Sequence, residues 1–235
     1  MAAQTRLFVP PPFEIDESAP AQPAAAAPGT GTRVWLVRHA DVAAQWHGHA
    51  YGNLDVPLSE RGEQQTQALG EAFRDVALAQ VHSSDLSRAR AMGSAIAQAT
   101  QAPLRLDPRL REIWRGEWQG LSSSEFRRRW ELDRQEFMRD PWNWKGHRGE
   151  SDADVFERAW PALLESVHAH AGKRIALTSH YNVIRVLASR ALGLNPRESF
   201  GFVTDPAHAV LLIDAPQGWQ LVAHNLAMPG PHSGT

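Results

Sequence analysis

The 235-residue chain contains no cysteine, which excludes disulfides, thiolate zinc sites and cysteine nucleophiles. Its charges nearly cancel: 24 Lys and Arg stand against 26 Asp and Glu, a formal −2. No global basic field therefore points to nucleic acid or to an anionic membrane. No apolar run approaches the roughly 20 residues needed to span a bilayer. Pro10-Pro11-Pro12 interrupts the region where a secretory signal would carry an unbroken apolar core. A soluble, cytoplasmic protein without a nucleic-acid or membrane partner is the expectation. Its length suits one α/β domain with a sizeable core.

Residues 1–31 are rich in Pro and Ala and cannot bury enough apolar surface to offset their ordering entropy. They are expected to form a flexible tail, followed by one domain over 32–228 and a short flexible tail over 229–235. Inside the domain, Val34-Trp35-Leu36-Val37 and Ile175-Ala176-Leu177 read as strands buried on both faces, as in a parallel sheet. Further strands are expected near 78–82, 103–106, 209–213 and 220–223. Ser59 is expected to cap one helix, Ser84 or Asp85 a second, and residues 122–138 to form a charged helix. From Ser151 onward, Val155, Phe156, Ala159, Trp160, Leu163 and Leu164 recur at helical spacing.

Both buried strands run directly into histidines, Arg38-His39 and Ser179-His180. The carboxyl ends of parallel strands are where open α/β sheets place ligands. If the two strands are adjacent and parallel, His39 and His180 face one another, and Arg38, Arg88 and Glu112 can converge on the same edge. Guanidinium forks match phosphate oxygens. A neutral imidazole attacks phosphorus when its other nitrogen is held as a donor, and a carboxylic acid protonates the departing oxygen. This set requires no metal and no cofactor. His47-Gly48-His49 lacks a matching ligand pair elsewhere, so a solvated loop is expected there rather than a metal site.

In their order along the chain, the segments Leu36-Val37-Arg38-His39-Ala40, Asp55-Val56-Pro57-Leu58-Ser59, Ser83-Ser84-Asp85-Leu86-Ser87-Arg88, Leu110-Arg111-Glu112-Ile113, Gly149-Glu150-Ser151 and Ser179-His180 resemble the histidine phosphatase superfamily. The resemblance implies a three-layer α/β/α sandwich with a mostly parallel sheet. It also implies His39 as the phosphorylated nucleophile, Arg38 and Arg88 as the phosphate clamp, His180 as the second imidazole and Glu112 as general acid. Gln45, Tyr51, Glu150, Ser151, Tyr181 and His208 are the expected substrate-side residues. Departures from the family pattern are Ala40 and Tyr181 where glycines are usual, Gln45 where Asn is frequent, and Met92 where Thr is expected. Glu112 and His180 lie only 68 positions apart, an interval that resembles the family's phosphatases rather than its mutases with their longer insertion. Hydrolysis of a small phosphorylated metabolite, such as a sugar phosphate or an α-ribazole phosphate, is the expected activity; the alternatives are a phosphoglycerate-type mutase and a non-catalytic module that binds phosphate ligands on the same fold. A homodimer is the assembly to be considered. Trp114, Trp118, Trp130, Trp142 and Trp144 fall in the segment expected to cover the pocket. A substrate ring could stack there, although packing against the sheet accounts for at least three of them.

Overall fold

The computed structural model describes residues 31–227; nearly all of the expected N-terminal tail and the expected C-terminal tail lie outside the described residues. Six strands form one sheet: β1 (Thr32–Arg38), β2 (Gln80–Ser83), β3 (Leu104–Leu106), β4 (Arg174–Ser179), β5 (Ala209–Ala215) and β6 (Gly218–Leu226). Their spatial order is β3-β2-β4-β1-β5-β6. The pairs β3/β2, β2/β4 and β4/β1 are parallel, while β5 and β6 add an antiparallel edge. The expected adjacency holds, with Val34 opposite Ile175 and Arg38 opposite Ser179.

Alternation along β1 divides the core in two. Val34 and Leu36 pack with α4 (Asp152–Ala169) and α5 (Tyr181–Ala191), whereas Trp35 and Val37 pack with α1 (Glu60–Ala72) and α2 (Ser87–Thr100). Because successive strand side chains point to opposite faces, a continuous apolar run is what a sheet covered on both sides requires. The result is the expected three-layer sandwich. Outside it lies α3 (Ser123–Arg139) with its own small core of Trp118, Trp130 and Phe137, against which Trp144 packs. Trp142 packs on the sheet's core. Of the five tryptophans, Trp114 alone presents a large exposed surface, at 47%, so packing accounts for the other four.

Two helix starts follow the sequence. Ser59 accepts from the Gly62 amide (2.9 Å), and Ser151 forms a reciprocal capping box with Asp154. The start of α2 differs from expectation: neither Ser84 nor Asp85 is its N-cap residue, which is Leu86. The cap comes instead from Asp55, far away in sequence, whose Oδ1 accepts from the Ser87 amide (2.8 Å) and hydroxyl (2.7 Å). Gly62 is required by close approach, since a Cβ there would lie 2.0 Å from the Asp41 carbonyl oxygen. No helix among the described residues is long and apolar enough to cross a membrane.

Burial lowers the pKa of His82 to about 4, with smaller contributions that include Arg105 and His170; burial, with help from Arg115, also lowers that of His147 to about 4. An unfolded chain keeps both near 6.5. Between these values the unfolded state binds more protons than the native one, so their contribution is complete above about pH 6.5 and is lost progressively as pH falls toward 4. Urea midpoints should fall over that window, with His82 contributing on the order of 1 kcal/mol per pH unit. In His82→Gln the slope should be shallower by up to one proton; an unchanged slope would contradict the assignment.

Candidate active site

The ladder between β1 and β4 extends one residue beyond the strands, with the His39 amide donating to the Ser179 carbonyl (3.0 Å). His39 and His180 consequently lie side by side, ring centroids 5.2 Å apart and planes tilted by 54°. Both are buried, at 2% and 0% exposure. His39 Nδ1 is 2.7 Å from the Ala40 carbonyl oxygen. A carbonyl only accepts, so Nδ1 carries the proton and Nε2 keeps its lone pair. Ala40 does not have a positive φ, so the family's glycine is not needed for backbone reasons.

His180 Nε2 lies 2.9 Å from Ser84 Oγ, while its buried Nδ1 has no protein partner. If the hydroxyl donates to Nε2, Nδ1 bears the hydrogen and offers it to a ligand. Burial, followed by the charge of Arg88, lowers the pKa of both rings well below the ordinary value. Both imidazoles are therefore neutral near pH 7.

Two buried guanidiniums flank the rings. Arg38 donates through Nη1 to the Thr204 carbonyl (2.6 Å) and lies 5.3 Å from the Tyr181 ring centroid. Arg88, fully buried, donates to the carbonyls of Leu54 (2.6 Å) and Gly52 (2.8 Å) and sits 5.2 Å from the Tyr51 ring centroid. The Nε of each arginine is buried without a protein acceptor. Carbonyls thus hold the two heads in place and leave donors for an anion. Burial raises the pKa of the Tyr51 hydroxyl, so it stays protonated.

Glu112 lies on a loop between two 3₁₀ turns, Pro108–Leu110 and Gly116–Trp118. Its Oε1 accepts from its neighbour Ile113 N (2.9 Å) and its Oε2 from Asn182 N (3.3 Å) in the first turn of α5. This loop is pressed against residues 147–150. Gly116 has φ +51°, and a Cβ on it would lie 2.1 Å from the His147 carbonyl oxygen. Arg158 crosses beneath, donating to the carbonyls of Arg109 (2.6 Å) and Glu112 (3.3 Å) and pairing with Glu150 (2.7 Å).

Several expected substrate-side residues have other occupations. Glu150 accepts from Trp114 N (2.9 Å) and from Arg158, so its carboxylate braces the Glu112 loop. Ser151 is the α4 cap described above. His208 offers its backbone carbonyl to Arg38 N (3.0 Å), while its ring Nδ1 is 2.9 Å from the Pro206 carbonyl oxygen. Gln45 is exposed on the 3₁₀ turn Ala44–Trp46. In the His47-Gly48-His49 loop, His47 Nε2 faces the Val42 carbonyl (2.8 Å) and Asp41 (3.1 Å). Ser84, Asp55, Thr204 and the Asn182 amide escaped sequence reasoning. Asp55 and Ser84 stand inside motifs that signal the site, but nothing local gives their bonding.

The sequence model of the histidine phosphatase superfamily (branch 1) matches residues 34–227. The chain belongs to this superfamily. A protein named probable phosphoglycerate mutase GpmB from Escherichia fergusonii is 32% identical over 164 residues, covering 69% of this chain and 75% of that protein. The structure of mycobacterial glucosyl-3-phosphoglycerate phosphatase matches with a TM-score of 0.74 at 27% identity, covering 82% of this chain and 98% of that one. The α-ribazole phosphatase from Shigella flexneri shares the fold, with a TM-score of 0.71 at 23% identity over 84% of this chain and 98% of that one. Membership of the superfamily, with the mutase and glucosyl-3-phosphoglycerate phosphatase relatives, supports an enzyme of phosphatase or mutase type.

Asp55→Ala removes the cap that starts α2 one residue before Arg88. It should lower stability by about 1 kcal/mol and weaken inorganic phosphate binding, measured by urea unfolding and calorimetry. Undiminished affinity would show that Arg88 is positioned without Asp55.

Proposed function

We propose that the protein is a phosphomonoester hydrolase working through a phosphohistidine on His39, with a small phosphorylated metabolite as substrate. The observation that carries this reading is the fixed tautomer of His39, a bare Nε2 beside two arginines with uncommitted donors. In this scheme the Nε2 lone pair attacks phosphorus in line, and the ester oxygen leaves with the proton of Glu112. Arg38, Arg88 and the Nδ1 hydrogen of His180 bear the charge on the equatorial oxygens. Glu112, now a carboxylate, takes a proton from water, which attacks the phosphohistidine and releases phosphate. No step needs a metal or a cofactor.

The choice of hydrolysis over transfer rests on the short interval between Glu112 and His180. A mutase must shield its phosphoenzyme from water while the substrate turns over in place. In this chain the interval holds α3, α4 and β4, and of these α3 with its tryptophan cluster lies outside the sandwich. Relatives named as mutases support the second reading, phosphate transfer between positions of one metabolite.

An aryl phosphate assayed in EDTA tests the proposal. Turnover should survive chelation and drop by roughly three orders of magnitude or more in His39→Ala. Glu112→Gln should lose rate chiefly in kcat, with phosphate affinity largely kept. Metal-dependent turnover, or a His39→Ala variant as active as the wild type, would overturn it.

A further inference from the structure

The chain has two tyrosines, and each lies against one of the two clamp arginines. The guanidinium carbon of Arg88 is 5.2 Å from the centroid of the Tyr51 ring, and that of Arg38 is 5.3 Å from the centroid of the Tyr181 ring. The rings come from separate parts of the fold, Tyr51 from the loop before α1 and Tyr181 from the first position of α5. Tyr51 is buried and Tyr181 half-buried. Nothing in the hydrolytic scheme above uses either ring.

The two arginines are held unequally. Carbonyls take both terminal nitrogens of Arg88, Leu54 on Nη1 and Gly52 on Nη2. A single carbonyl, that of Thr204, takes the head of Arg38, on Nη1. A planar fork fixed at one nitrogen can still turn about that bond, whereas bidentate recognition of a phosphoryl group needs the plane fixed. Arg38 is only 3% exposed and has no carboxylate partner among the described residues. A carboxylate beside it would steady the fork but repel a phosphate dianion. An aromatic face attracts a guanidinium through its quadrupole and adds no net charge. Burial raises the pKa of the Tyr181 phenol, so the ring stays neutral near pH 7. Its backbone is well placed for the task, since His180 precedes it and the next amide, Asn182, holds Glu112. The glycine usual at this position has no side chain to lay on Arg38.

Resting on the reading of Arg38 as part of the phosphate clamp, we infer that Tyr181 is a positioning residue whose ring holds the plane of the Arg38 guanidinium for the phosphoryl oxygens. It supplies for Arg38 the second restraint that Arg88 receives from a second carbonyl. Its effect therefore falls on the phosphoryl group, whatever the leaving group.

The test is a double-mutant cycle on Arg38 and Tyr181, which isolates the pair. It is read by calorimetric affinity for inorganic phosphate and by kcat/KM for one aryl and one alkyl phosphate. Tyr181→Leu should weaken phosphate binding, and lower kcat/KM for both esters, by a common factor of about ten. Tyr181→Gly should lose as much, and it serves if the leucine variant does not fold. Tyr181→Phe, which keeps the ring, should stay within about twofold of the wild type. In an Arg38→Met background, Tyr181→Leu should cost less than about twofold. Full phosphate affinity in the leucine and glycine variants would overturn the proposal, as would a phenylalanine variant as weak as leucine. An undiminished loss in the Arg38→Met background would do the same. So would a loss confined to one ester, for Tyr181 would then touch the leaving group. If Arg38→Met itself binds phosphate as the wild type does, the clamp reading falls and the proposal with it. If the wild type hydrolyses neither ester, the hydrolase reading fails, and the phosphate affinities alone decide the role of Tyr181.

Discussion

The parallel pairing of β1 with β4 is the constraint on which the site depends. Its register sets Arg38 opposite Ser179, and one further hydrogen bond, from His39 N to the Ser179 carbonyl, carries the alignment to the two histidines. A slip of one residue would turn every side chain of β1 to the other face, breaking both halves of the core and separating the rings. The apolar runs that make the strands thus also determine the spacing of the imidazoles. Beyond the edge, α5 begins at Tyr181, so the amide of Asn182 is free to hold Glu112.

Electrostatics explains why this edge is built to receive an anion. Arg38 and Arg88 are buried and have no carboxylate partner among the described residues; backbone carbonyls from Thr204, Leu54 and Gly52 are their main acceptors. Carbonyl dipoles compensate such charges only in part. The same positive field, together with burial, keeps His39 and His180 neutral. A phosphate dianion would relieve the guanidiniums and offset the positive field that, after burial, lowers the pKa of His180. Binding and activation then come from one source.

Much of this was legible in the sequence because it is local. Continuous apolar runs specify strands buried on both sides, and the residues after them, His39 and His180, fall at the ligand edge of any parallel sheet. The caps at Ser59 and Ser151 are polar residues that stand directly before helical apolar patterns. What escaped depends on contacts between distant segments. Asp55 caps α2 across 32 positions, and nothing near Ser87 announces it. Glu150 reads as a pocket carboxylate until Arg158, one helical stretch away, is seen to occupy it. The tryptophans carry a dual signal, since rings that stack on ligands and rings that fill a core have the same composition; the small α3 core takes up three of the five and the sheet's core a fourth.

The central claim is that His39 attacks through Nε2 because the Ala40 carbonyl holds Nδ1 as a donor. Rapid alkaline quenching during turnover of an aryl phosphate, followed by localisation of the label by mass spectrometry and phosphorus NMR, tests it most directly. The account predicts one phosphoryl group per chain at most, on Nε2 of His39. Phosphate on Nδ1, on His180, or on no histidine at all would contradict it.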